Sequence, residues 1–200
     1  GISSSARSVA AHMRRNTDPT VDKSYQRTAK IKATHGNTGI IIEADLVSLD
    51  ATGFTLNYTT AGGYNAGNFY VAIQGGRFAV GSLNQPTSNG TQTITTSFQP
   101  KAILLQSFNL AAATTVQAHN RWSIGAASST TQRGVIWAGG TDNVGDSVEK
   151  QDLDRTKVIK LETEAAGGPT VNAAADLDSF NATDFTLNWT TTDATAREVL

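Results

Sequence analysis

Residues 44–60, ADLVSLDATGFTLNYTT, return at residues 175–191 as ADLDSFNATDFTLNWTT, with 12 of 17 positions identical and no gap. A duplication of this quality restricts the chain to folds built from like units, so the period takes precedence over every other feature. The differing pairs are mostly conservative: Leu49 and Phe180, Asp50 and Asn181, Tyr58 and Trp189. A fainter likeness runs upstream. VDKSYQRTAKIKA (21–33) resembles VEKQDLDRTKVIKLE (148–162), and GISSSARS at the start can be laid on GAASSTTQR from Gly125. Residues 1–75 therefore match 125–200, whereas 76–124 has no earlier counterpart. The predicted organisation is a near-complete unit over 76–200, preceded by the back portion of another unit over 1–75. The second copy stops at Glu198-Val199-Leu200 where the first runs on through NFYVAIQGG. The expectation is an excerpt of a longer repeat protein, or a subunit whose unfinished sheets are completed by another chain through strand addition.

The repeated motif reads as a strand. In FTLNWTT, Phe185, Leu187 and Trp189 alternate with Thr186, Asn188 and Thr190, the period of two expected of a strand buried on one face. The same alternation links Phe54, Leu56 and Tyr58, then Phe69, Val71 and Ile73, and continues through Phe78 and Val80. Further strands are predicted over 91–97, 101–108, 121–126, 133–138 and 156–162, separated by turn-rich NQPTSNG, AGGTDNVG and AAGGPT. Residues 4–14 have a helical look, but the matching SSTTQRGVIWA of the second copy favours a strand there. The expected fold class is all-β: tandem antiparallel β-sandwich units, jelly-roll-like, the first incomplete.

Composition narrows the partners. The 38% hydrophobic content suffices for a buried core, and a net charge of −1 offers no attraction to nucleic acid or an anionic membrane. Neither partner is expected. There is no cysteine, and no apolar run approaches the ~20 residues a membrane helix needs. Between Ala51 and Thr141 there is no Asp or Glu, and only Arg77, Lys101, Arg121 and Arg133 carry positive charge. Such a stretch covers itself with Ser, Thr, Asn, Gln and Gly, or lies against neighbours, as in an assembly subunit.

The succession QPTSNGTQTITTSFQPKAILL, RWSIGAASS, RTKVIKLE and ADLDSFNATDFTLNWTTTDATARE resembles a β-sandwich repeat of virion and tail-associated structural proteins of tailed bacteriophages. The likeness covers 76–200 as one unit and 1–75 as a partial one. It implies a bacteriophage structural protein at the virion surface, an extracellular location, as a fibre, decoration or tail-surface component. Its partners would be copies of itself and other virion proteins, and no catalytic residue is implied. Two alternatives stay open: a carbohydrate-binding or adhesin module taking a host surface glycan, and an extracellular filament subunit.

Constellations for chemistry are sparse, and the chain is not expected to be an enzyme or to need a cofactor. His12, His35 and His119 lack metal-ligand spacing, and there is no nucleophile elbow or zinc motif. The acidic stretch TDNVGDSVEKQDLD could offer calcium oxygens from Asp142 and Asp146, which recur as Asp18 and Asp22, although an inter-strand loop accounts for the charges equally well. Asp45 with Asp50, and Asp176 with Asp178, flank turns where carboxylates cap backbone N–H groups. Trp122, Trp137, Tyr64 and Tyr25 are the aromatics that could form a glycan-stacking platform, although aromatics in strands are more often core. N-x-S/T patterns at Asn57, Asn89, Asn181 and Asn188 arise readily in a Thr-rich chain.

Overall fold

The computed structural model describes residues 9–14, 22–27, 30–36, 39–63, 70–73, 75–110, 116–143, 149–165 and 167–200. Among these residues all regular structure is strand: β1 (Val9–Arg14), β2 (Asp22–Arg27), β3 (Lys32–His35), β4 (Ile40–Leu49), β5 (Phe54–Ala61), β6 (Leu83–Asn84), β7 (Gly90–Thr95), β8 (Ile103–Ser107), β9 (Gln117–Ala118), β10 (Asn120–Ala127), β11 (Arg133–Gly140), β12 (Glu149–Asp154), β13 (Ile159–Thr163), β14 (Thr170–Phe180), β15 (Asp184–Thr191) and β16 (Glu198–Val199). They form antiparallel sheets in the orders β12-β11-β10-β8, β13-β14-β15-β7, β1-β2-β9, β3-β4-β5 and β16-β6.

Period-two patterning places the main core between the two four-stranded sheets. Leu105 and Ala127 line it from one side, and Leu161, Leu177, Phe185, Leu187 and Trp189 from the other. Gly125 of β10 abuts the chain just before β13, where a Cβ would lie 1.9 Å from the Val158 carbonyl oxygen, so no larger residue fits.

The duplicated sequence adopts duplicated backbone pairing. Adding 131 to the β4–β5 ladder from Glu43 onward reproduces the β14–β15 ladder rung by rung: Glu43↔Thr60 becomes Ala174↔Thr191, and Leu49↔Phe54 becomes Phe180↔Phe185. Both ladders pass over one residue on the second strand, Thr59 or Thr190, and one on the first, Val47 or Asp178. These are β-bulges, which bend a hairpin and increase its twist. The turns agree too, with Asp50 N–H donating to Gly53 O at 2.8 Å and Asn181 N–H to Asp184 O at 2.9 Å. Likewise β3–β4 and β13–β14 pass over Ile41 and Asn172 respectively. The six-rung β1–β2 ladder, Val9↔Arg27 to Arg14↔Asp22, corresponds to β11–β12, Val135↔Asp154 to Gly140↔Glu149.

Three expectations are corrected. Residues 70–73 and 75–80 form no strand, and Val71 is 88% exposed. A strand exists through its ladder, and alternation without a partner edge leaves an extended, solvated segment. The acidic stretch is not wholly loop, because Glu149–Asp154 is β12. The predicted strand over 156–162 starts later, at Ile159. Of the stretch with a helical look, Val9–Arg14 is a strand, and residues 4–8 lie outside the described residues.

Candidate functional site: an open sheet edge

The β4–β5 hairpin is organised locally. Asp50 closes the turn by accepting from the Ser48 and Thr55 hydroxyls at 3.2 and 3.3 Å, and Asp45 accepts from the Leu46 N–H at 2.9 Å. These carboxylates serve the backbone and its turn, as their positions in sequence suggest. The hairpin then presents Phe54, Leu56 and Tyr58 on one face.

The fate of that face differs between the two copies. Phe54 and Tyr58 are 36% and 46% exposed, whereas their counterparts Phe185 and Trp189 are 6% and 1% exposed. The difference follows from what covers the face: Phe185 and Trp189 belong to the main core with Leu105, Leu161 and Val199, and β7 separately occupies the outer edge of β15, pairing Thr95 with Asp184 through to Gly90 with Trp189. The Trp189 indole N–H also donates to Gln92 Oε1 at 2.9 Å. Among the described residues β5 pairs only with β4. Its aromatic groups are met instead by Lys32, whose ammonium lies 3.3 Å from the Tyr58 hydroxyl and 4.9 Å from its ring centre, and by Tyr70, edge-on to Phe54 at 5.1 Å. Fully covering a side chain of this size is worth about 1.5–3 kcal/mol. The exposed large apolar groups of this hairpin also include Val47 and Leu49. A second exposed row, Leu153, Ile136 and Ile124, crosses the outer face of β12, β11 and β10, where these residues are directly paired.

The other concentration of functional groups is a polar junction between the two halves. Asp142 accepts from Asp22 N–H at 3.1 Å and from Lys23 Nζ at 2.5 Å. Ser24 Oγ donates to His119 O at 2.8 Å, and Arg121 binds Glu164 through Nε and Nη2 at 2.8 and 3.0 Å. Thr141 Oγ1 adds a bond to Glu164 at 3.1 Å. Burial opposes the charge on Glu164, but the Arg121 hydrogen bonds and charge, with Thr141, outweigh it and hold the carboxyl below its usual range. Burial and the Arg121 charge push His119 down, and its Nδ1 accepts from Asp142 N–H at 3.2 Å. Gly140 permits the close approach, since a Cβ there would lie 2.9 Å from Asp22 Oδ1. These contacts join positions 23 to 120 residues apart, and no local motif announces them.

The sequence candidates are dispersed. Asp142 belongs to the junction, while its partner in the calcium reading, Asp146, lies outside the described residues. Asp152 and Asp154 surround the Lys160 ammonium together with Glu162, so β12 and β13 are tied by a lysine. Asp176 faces Arg133 and Lys157. Among the described residues no cluster of three metal-ligating side chains occurs. Of the aromatic platform, Trp137 is 2% exposed and lies in the interior rather than on a surface. Tyr25 is buried with its hydroxyl donating to Glu43, Trp122 is half-buried, and Tyr64 lies outside the described residues. The alternation that suggested aromatic strands also sends their rings inward, so Trp137 and Tyr25 offer no stacking face. His35 is buried beside Gly36 O, and the His12 side chain lies outside the described residues. Comparison with protein-family models, with curated proteins and with solved structures finds no match to this chain.

Proposed function

We propose that the chain is a structural subunit of a bacteriophage particle, built from tandem β-sandwich units, that acts by assembling with neighbours at the virion surface. In this reading residues 76–200 form one near-complete unit and residues 1–75 the back portion of another. The observation that carries it is the contrast between the two copies: Phe54 and Tyr58 lie open and the edge of β5 has no partner strand among the described residues, whereas Phe185 and Trp189 lie in the main core and β7 pairs with the edge of β15. An uncovered apolar sheet edge is an aggregation liability in a solitary protein and an asset in an assembly. The exposed row at Leu153, Ile136 and Ile124 and the charge-poor stretch from Ala51 to Thr141 support the same reading. The bacteriophage assignment itself rests on the sequence resemblance.

Sedimentation velocity over a micromolar concentration series tests the assembly. Concentration-dependent oligomers are expected, and a compact monomer at every concentration would overturn it.

A further inference from the structure

We propose that the outer edge of β5 receives one kind of occupant: an extended segment with the pattern of Gly90–Thr95, supplied by another polypeptide and paired antiparallel with Gly53–Tyr58, an assignment that rests on the reading of the chain as an assembly subunit.

The chain carries the template for this complex. The ladders of β4–β5 and β14–β15 agree in register and bulges, so the outer edge of β5 reproduces that of β15. On β15 that edge holds GTQTIT, with Ile94 opposite Phe185, Gln92 opposite Leu187 and Gly90 opposite Trp189. Transferred to β5, a β-branched aliphatic residue stands opposite Phe54, an amide opposite Leu56 and a glycine opposite Tyr58. The Tyr58 hydroxyl can donate to that amide as the Trp189 indole does to Gln92. The bulge at Thr59 ends the pairing, as the bulge at Thr190 ends that of β7 with β15. Backbone hydrogen bonds supply affinity in strand addition and alternate side chains supply register.

Edge strands that must stay solitary usually carry charge or proline. β5, FTLNYTTA, has neither, whereas β12, EKQDLD, which borders the other large sheet, has four charged residues in six. Each copy of this chain brings two such edges, on β5 and β15, but one GTQTIT segment, and that segment is seated on its own β15. The donor we assign is therefore a further strand of the same pattern.

Disulfide trapping reads both binding and register, since the chain contains no cysteine. The Asn188↔Thr91 rung predicts that Asn57 faces position 91 of the incoming strand. The full chain bearing Asn57→Cys is incubated in a glutathione buffer with a synthetic peptide of residues 88–98 carrying Thr91→Cys or, separately, Gln92→Cys. Capture of the first peptide is expected to exceed that of the second by about tenfold, because misplaced cysteines cannot meet bridging geometry. The chain bearing Asn188→Cys, whose edge β7 occupies, should capture little of either. Adding Phe54→Asp to Asn57→Cys should lower capture about tenfold or more through the lost apolar contact, with the circular dichroism spectrum unchanged. Equal capture of both peptides, equal capture at positions 57 and 188, or disulfide-linked dimers of the Asn57→Cys chain in place of capture would overturn the proposal. Oligomers without register-specific capture would sink this occupant and leave the assembly reading standing, whereas capture by a chain that sediments only as a monomer would do the reverse.

Discussion

Arg197 grips Asp193, four residues upstream, through Nη1 to Oδ1 at 2.6 Å and Nη2 to Oδ2 at 2.8 Å, and the same Nη1 reaches Gln85 Oε1 at 3.3 Å. The clasp joins the NQP segment to the end of the repeated motif, and Gln85 N–H donates to Arg197 O at 2.8 Å. The corresponding position of the first copy holds Gly62, so that half lacks the acid of the clasp.

The Arg197 hydrogen bonds hold Asp193 at about 2, below its ordinary 3.8. A depressed carboxyl contributes stability above its unfolded value, and that contribution disappears as pH falls through the folded one. Asp193→Asn is expected to destabilise the chain by about 1–2 kcal/mol at pH 7. The difference from the unaltered chain should shrink between about pH 4 and pH 2, measured by urea unfolding across that range.

His119 is held in its neutral form where Asp193 is held charged, but its contribution is also lost as pH falls. Its neutral ring accepts from Asp142 N–H, with Arg121, Lys23, Glu164 and Asp142 around it, and its pKa lies below 6.5. The unfolded chain therefore takes up this proton first, and junction stability is lost as pH falls below about 6.5. His119→Gln should flatten that part of the stability profile, read from urea midpoints at pH 7.5 and pH 5.

Asp142 is almost fully buried beside Lys23. Removing one partner of such a pair strands the other, so Lys23→Ala should cost about 3 kcal/mol. Calorimetry should show the loss as a lower melting temperature, while Lys101→Ala, on an exposed side chain, leaves the trace unchanged.

The two aromatic faces should respond differently to truncation. Trp189→Ala or Phe185→Ala should destabilise by about 3–5 kcal/mol, as for large buried groups. Tyr58→Ala and Phe54→Ala should stay within about 0.5 kcal/mol in the isolated chain. Chemical denaturation of all four variants checks the contrast.

Gly125→Ala must displace the Val158 backbone and is expected to cost about 3 kcal/mol or more. Gly134→Ala, whose added Cβ would come no closer than 3.7 Å to Asp154 O, serves as the tolerated control in the same melting experiment.

Much of the fold was legible in the sequence because its rules are local. Phe185, Leu187 and Trp189 alternate, and the 17-residue repeat carries the bulged residues along with the turn. What escaped depends on partners. Val71 and Ile73 stand two apart as residues on one face of a strand do, yet that spacing cannot say whether an edge is available. In β12 the Lys150, Asp152 and Asp154 side chains face Lys160 or the sheet, so polar residues on both faces concealed the period of two. The junction of Lys23, His119, Arg121, Asp142 and Glu164 is assembled from distant strands and had no linear signature. The interior position of Trp137 needed the sheet pairing to be seen.

The matching bulges at Thr59 and Thr190 have an evolutionary corollary. Among the described residues one hairpin has a strand along its outer edge and the other has none, yet both bend at the same rungs. Their curvature is thus inherited with the hairpin rather than moulded by its surroundings. A hairpin that carries its own bend can lie beside a different neighbour without its backbone being reshaped.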